Sequence, residues 1–464
     1  MKKYIVLFFL LTSISINAQY QLPVIKLNGN FGYDYQEGTV SIYYTDGTSE
    51  ESLTAKIKWR GGSTNTEGKH KRNYKIKFSD DHSFFGLRND NNWILDAGQA
   101  DVFRLRNRIA TELWNDFATK PYYSVQEPKA LSGVNGQVVE VYLNNEYRGI
   151  YSFTECMDRK QMKLKKFDKD GTIHGVLWKS TGYSSSLMNI VPNSYDNSQP
   201  MMDVFEAKYP EVGDDLPETD YSILWNAINF VVNSSDEEFK NQVEEYFDIP
   251  VVLDYYLFIN LLGAIDNTGK NMYWAVYDKQ TNKKITPAVW DLDLTVGSST
   301  LEQYYSEFSS PTYPILDGFN LVTRLKKLNV NNFNQKVIER YAELRKTFFS
   351  PENLKSRYQN YYDILKLSHA AEREENKWSG DSDVYQHIIN FDNEINYISN
   401  WIDLRINFLD QQFNYNNTMS IHNINTKNNN QIIYNLNGQR ENKNQLFKSN
   451  IYIINGKKYF YKNN

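Results

Sequence analysis

The sequence predicts an α+β protein, with a strand-rich N-terminal part, a mainly helical C-terminal part and a small β tail. Three observations point there. From Leu22 to about Phe153 apolar and polar residues alternate between Gly and Asn breaks, the pattern of half-buried strands. From about Asp220 the apolar spacing becomes helical. After Phe413 the chain turns Asn-rich, then returns to short strand-like runs.

Taken in order, "MKKYIVLFFLLTSISINAQ" has two lysines, a short apolar run and small residues before Gln19. The run is too short to span a bilayer and fits a secretory signal over residues 1–18. "AKIKWRGGSTNTEGKHKRNYKIKF" reads as strand, Gly-containing loop, strand. "DVFRLRNRIATELWNDFA" places Leu105, Ile109, Leu113 and Phe117 on one helical face. "GQVVEVYLNNEYRGIYSFTE" reads as a hairpin turning near Asn144-Asn145. The clearest helices are "YSILWNAINFVV", "VVLDYYLFINLLGAI" and "FNQKVIERYAELRKTFF", the last with a Val337, Tyr341, Leu344, Phe348 stripe. Ser350 and Pro351 in "SPENL" supply an N-cap and a first-turn proline. "NMYWAVYD" and "ITPAVWDLDL" interrupt the helices as strands, and "YISNWIDLRINFLDQQF" is a final helix.

Composition excludes several classes. With 51 basic and 56 acidic residues the net charge is -5, too balanced for bulk electrostatic binding of nucleic acid. The single cysteine, Cys156, rules out an internal disulfide and Cys-based metal clusters. The six histidines form no HExxH or HxH pair. A metal site would therefore be built from oxygen, favouring Mg²⁺, Mn²⁺ or Ca²⁺. No later stretch is long and apolar enough to cross a membrane.

The chemistry concentrates in "AIDNTGKNMYW" and "VWDLDLTVG". Asp266 and Asn271 have the spacing D-x-x-x-x-N, which in a kinase catalytic loop puts a carboxylate at the acceptor hydroxyl and an amide oxygen on a metal. Asp291 and Asp293, if on a strand, share a face, with Trp290 and Leu292 turned to the core. Two carboxylates aimed at one spot repel unless one is protonated or a cation lies between them. In "WRGGSTN", Gly61 and Gly62 allow close approach of backbone to a phosphate, Ser63 and Thr64 add hydroxyls, and Arg60 stands at the loop entry. Lys75 and Lys77 share one strand face.

These residues, together with "KRNYKIKF", "NNWIL", "RLRNRIATEL", "AAEREENKW" and "WIDLR", resemble the spore-coat-protein-H (CotH) type atypical kinases from about Leu22 to Gln412. The resemblance implies a two-lobed, kinase-like fold over residues 19–413, with an N-lobe to about 155 and a C-lobe from about 156. It implies ATP, Mg²⁺ or Mn²⁺, and transfer of the γ-phosphate to Ser or Thr of a protein. By the same resemblance, Asp266 is the catalytic aspartate and Asn271, Asp291 and Asp293 hold metal. Lys75 or Lys77 meets the phosphates, Glu112 pairs that lysine, and Thr154 and Glu155 lie where adenine is met. The family often has Gly-Asn-Ser-Ser where Gly61-Gly62-Ser63-Thr64 stands, and "KKPY" where Arg72-Asn73-Tyr74 replaces the middle. Residues 414–464 resemble a linker and type IX secretion sorting segment, although Asn450 stands where that pattern has glycine. The chain is thus expected outside the cell or at its surface. Two other readings are a non-catalytic binding module on the same fold, and a metal-dependent glycosyltransferase using Asp291-Leu292-Asp293 as a D-x-D motif.

Overall fold

A computed structural model describes residues 22–300, 302–304 and 306–415, and the backbone of four short strands between 433 and 461. Seven strands come first: β1 (Val24–Asn28), β2 (Gln36–Tyr43), β3 (Ser49–Arg60), β4 (Asn73–His82), β5 (Asp90–Asp96) and, after helix α1 (Arg106–Phe117), β6 (Gly136–Leu143) and β7 (Glu146–Thr154). They form a closed barrel in the order β1-β2-β3-β4-β5-β7-β6. Alternation decides which face is which. Tyr74, Ile76 and Phe78 enter the barrel core with Ile57, Trp93 and Phe153, while Lys75 and Lys77 stay outside. The β6–β7 turn uses Asn144 and Asn145, both left-handed (φ 51° and 66°), as a tight hairpin of this hand requires.

A short helix, α2 (Arg159–Met162), leads to β8 (Val176–Ser180), β9 (Met201–Met202) and β10 (Phe205–Tyr209). Helices α3 (Ser222–Asn233), α4 (Asp236–Tyr246) and α5 (Ile249–Leu262) follow, then β11 (Met272–Val276) and β12 (Thr286–Val289). The five strands make a second sheet, β12-β11-β8-β10-β9, antiparallel at every pairing. α5 is buried along nearly its whole length and Trp274 of β11 is fully buried, edge-on to Phe247 and Phe319. Helices α6 (Asn320–Leu328), α7 (Phe333–Arg345), α8 (Pro351–Leu367), α9 (Ala370–Trp378) and α10 (Phe391–Gln412) complete this part. Ser350 accepts from Asn353 N at 3.1 Å, capping α8. α7 ends at Arg345, so Phe348 lies beyond its buried stripe.

The class α+β fits, but the two-lobed kinase-like arrangement is corrected. The first strands close into a barrel because β1 pairs in parallel with β6, Val24 opposite Glu140 through Leu27 opposite Leu143. The part after residue 156 is not mainly helical at its start, since β8 to β12 form a sheet there. Both features rest on pairings between distant segments, which local periodicity does not register.

The chain divides into two compact units at Phe408/Leu409. In the second, β13 (Ile433–Asn435), β14 (Arg440–Glu441), β15 (Asn450–Ile454) and β16 (Lys457–Tyr461) form a sheet in the order β14-β13-β15-β16. The signal segment and the stretches between these strands lie outside the described residues.

Candidate active site

One cleft of about 1440 Å³ collects most of the residues singled out above: Arg60, Gly61, Gly62, Lys75, Lys77, Thr154, Asp266, Asn271, Asp291 and Asp293. Its basic wall is the outer face of β3 and β4, where Lys75 stands opposite Lys58 in register. The loop after β3 is built around Gly61 (φ 115°), where a Cβ would lie 2.1 Å from Thr64 Oγ1. Asn73 Nδ2 donates to that same oxygen at 3.2 Å, and Asn73 Oδ1 accepts from Ala97 N at 2.6 Å. The loop is thereby tied to both flanking strands. Ser63 begins a single 3-10 turn, Ser63–Asn65.

Asp266 sits in a 3-10 turn, Ile265–Asn267, just past the left-handed Gly263 that ends α5. Its carboxylate accepts from Tyr183 Oη at 2.6 Å, Lys270 Nζ at 3.0 Å and Asn271 Nδ2 at 2.7 Å. Burial and the Asp266 charge hold the Tyr183 phenol well above its usual pKa, so it remains a donor. Asn271 enters β11 with φ 52°. No hydrogen bond among the described residues engages its Oδ1, which leaves an amide oxygen for a ligand.

Asp291 and Asp293 do not lie on a strand as the alternation implied. β12 ends at Val289, and Asp291 is left-handed at φ 58°. Such backbone in a non-glycine residue persists where surroundings fix it. Here Asn267 Nδ2 donates to the carbonyls of Trp290 (2.8 Å) and Asn271 (3.1 Å), and Leu292 N donates to Asn107 Oδ1 at 3.1 Å. Leu292 is buried, while Trp290 faces the cleft. Both carboxylates line the cleft despite the break in the strand. Asp291 is open to solvent within the cleft but closely walled. Among the described residues neither side chain has a hydrogen bond or ion pair. Burial, then Asp291, Asp96 and other carboxylates, push Asp293 well above the usual range. Asp291 is pushed up mainly by its walls, with Lys179 and Arg60 opposing. Carboxylates that raise one another's pKa and close no ion pair among the described residues fit a divalent cation such as Mg²⁺ or Mn²⁺.

Two expected roles are not met by the geometry. Glu112 pairs with Arg108 at 3.1 Å and accepts from Tyr361 Oη at 2.6 Å, so it does not pair with either lysine. Glu155 is buried, and its carboxylate accepts from Arg88 N and Asn135 N at 3.0 and 3.1 Å. It holds a loop together and is not part of the cleft lining. A buried Lys–Glu pair does exist elsewhere. Lys71 Nζ and Arg104 Nε meet Glu374 Oε1 at 2.7 and 2.6 Å, tying the barrel to α9.

Sequence reasoning missed Asp96, Asn107, Lys179, Tyr183 and Asn267. Asp96 lines the cleft and accepts from Asn107 Nδ2 at 2.6 Å. Asn107 lies in "RLRNRIATEL", and its amide bridges Asp96 to the Asp291 loop. That run was visible, but its individual polar contacts were not. Among the described residues, one cluster brings three His or carboxylate ligand atoms within 4.8 Å of one another: His70, Asp381 and Asp383. It is accounted for by the His70–Asp381 pair at 2.9 Å and by Asp383 Oδ2 accepting from His70 N and Lys71 N. The antiparallel second sheet also lacks the doubly wound parallel frame that would favour the glycosyltransferase reading.

The profile of the family described as CotH kinase protein matches residues 57–409. No curated protein matches the chain.

Proposed function

The chain belongs to the CotH kinase family, and from that premise we propose that it transfers the γ-phosphate of ATP to Ser or Thr of an extracellular or surface protein. One observation carries this reading. Asp266 lines the same cleft as two carboxylates without hydrogen bond or ion pair among the described residues, Asp291 and Asp293, and the cationic barrel face.

Asp291, Asp293 and the Asn271 amide oxygen would hold Mg²⁺ or Mn²⁺. The bound metal would supply charge neutralisation for the transferring phosphoryl group. The chain's own residues do the rest. Asp266 Oδ2 is fixed by Asn271, leaving Oδ1, now held by Tyr183 and Lys270, to receive the acceptor hydroxyl and orient it for attack. The Gly61-Gly62 loop and Arg60 receive phosphate oxygens from the barrel side, with Lys75 or Lys77. Thr154, at the end of β7, lies along the cleft where the base would rest. Export would rest on residues 1–18 and on the tail from 414 onward.

Intact-mass analysis of a generic Ser/Thr acceptor after incubation with ATP and Mg²⁺ tests the proposal. An acceptor heavier by one phosphoryl group, with none from Asp266→Asn, supports it. An unmodified acceptor, with ATP left intact, sinks it.

A further inference from the structure

The cations of the cleft are not equivalent. Lys270 is taken by Asp266 at 3.0 Å, Lys208 by Glu206 and Glu211 at 3.1 and 3.0 Å, and Lys160 by Asp90 at 2.8 Å. Lys179, like the half-buried Lys75 of the barrel face, has no such carboxylate among the described residues. It lies on β8 in the second sheet, with Tyr273 and Glu206 as its register partners on either side. Glu206, the carboxylate that would ordinarily neutralise it across the ladder, is engaged by Lys208 instead. Among the described residues Lys179 has no hydrogen bond and no ion pair, although it is half-buried.

Its ammonium lies over an aromatic ring. Lys179 Nζ lies 5.8 Å from the Trp290 ring centre, and the Arg60 guanidinium lies 5.4 Å from the same ring. Arg60 comes from the barrel and Lys179 from the second sheet, so two separate layers deliver cations to one indole. That indole immediately precedes Asp291. Neither cation closes a salt bridge with Asp291, so a space bounded by two positive groups and a carboxylate remains. A metal-bound polyphosphate satisfies all three, with its metal on the carboxylate and its phosphate oxygens on the cations. A water-filled gap would leave a half-buried ammonium without a charged partner, which is the costlier arrangement.

We infer that Lys179 and Arg60, both beside Trp290, form the clamp for the terminal phosphates of the nucleotide. The inference rests on the nucleotide reading above and adds to it a residue that the D-x-x-x-x-N and D-x-D patterns do not contain.

Titration calorimetry with AMP, ADP and ATP at fixed Mg²⁺ decides it. For the parent protein, affinity should rise with phosphate number. Lys179→Gln should weaken ATP by about tenfold or more while leaving AMP nearly unchanged, as expected for loss of a charge-assisted contact. Arg60→Gln should do the same, and Lys179→Arg should retain most of the ATP affinity. A folded Lys179→Gln that binds ATP like the parent overturns the clamp and leaves the proposed function standing. Equal weakening of AMP and ATP also overturns it, because a merely structural lysine would act on both. If Lys179→Gln does not fold, Arg60→Gln decides, an unchanged ATP-to-AMP ratio there refuting the clamp. A parent protein that binds none of the three nucleotides removes both the clamp and the nucleotide reading.

Discussion

The Tyr183 hydroxyl donates to Asp266 Oδ1 at 2.6 Å while Asn271 holds the other oxygen of the same carboxylate at 2.7 Å. Under the proposed reaction the phenol, with Lys270 Nζ at 3.0 Å, occupies the oxygen that the acceptor hydroxyl would use. Tyr183→Phe should lower the KM for the acceptor, because one of the two donors on that oxygen is gone, with ATP affinity unchanged. Asp266→Asn should cut transfer by about 10²–10⁴-fold, the usual range for a positioned base, and still bind Mg²⁺–ATP. Steady-state kinetics with paired calorimetry separates the two. A Tyr183→Phe enzyme with a raised acceptor KM would show that the hydroxyl aids binding.

The close cleft walls and neighbouring carboxylates raise Asp291 against the pull of Lys179 and Arg60, and burial with Asp291 and Asp96 raises Asp293 further. The folded protein thus holds their protons more tightly than the unfolded chain. Stability without ligand should fall as pH rises above the ordinary carboxylate range towards the raised values. Asp291→Asn should raise the ligand-free Tm and abolish the Mg²⁺-induced shift. Thermal melts at pH 5 and pH 8, with and without Mg²⁺, check this. A parent Mg²⁺ shift no larger at pH 8 than at pH 5 would contradict it.

Glu374 carries the counter-charge for two buried cations. Burial and the adjacent Arg104 depress Lys71 to about 7, and both cations hold Glu374 below its usual range. Glu374→Gln should cost about 3–5 kcal/mol, as for a broken buried pair, because it strands Lys71 and Arg104. Lys71→Met should cost less, since Arg104 still satisfies Glu374. Urea unfolding of both variants gives the order, and a reversed order would refute the division of roles.

His174 is held between Asp168 (3.0 Å) and Asp278 (2.8 Å), whose hydrogen bonds raise its pKa above 6.5. Its stabilisation is complete below 6.5 and is lost as pH rises through the raised value. His174→Asn should destabilise the protein at pH 5.5, by an amount on the order of 1 kcal/mol, and much less at pH 9. Denaturant melts at the two pH values test it. Equal losses would mean that packing, not charge, is what the histidine contributes.

The strands of the barrel and the helices α5, α7 and α8 were legible because each is decided by neighbours in sequence. Asn144-Asn145 marked its turn and Ser350-Pro351 its helix start. Barrel closure was not legible, since Val24 meets Glu140 in parallel and nothing local announces that partner. The candidate site was read through residue types that are costly to bury, which led to Asp266, Asn271, Asp291 and Asp293. Asp291 shows the limit of that reading. Its strand assignment failed because the backbone turns left-handed there, yet its carboxylate still lines the cleft. Lys179 escaped because a lysine inside a five-residue strand looks like any solvated edge. Glu112 was assigned by analogy alone, and Arg108, four residues earlier on the same helix, claims it instead.

Glu374 stands 303 residues beyond Lys71 and 270 beyond Arg104. All seven barrel strands are synthesised by Thr154, yet the interior cations beside them have no counter-charge until α9 emerges. At ribosomal rates that interval is on the order of tens of seconds. During it the barrel strands can pair, but the Ile150 N–H has yet to meet its acceptor, Glu374, and Lys71, which donates to the Ile150 carbonyl, lacks its carboxylate. The Lys71–Glu374–Arg104 contacts are thus among the last that a chain made from its N-terminus can complete.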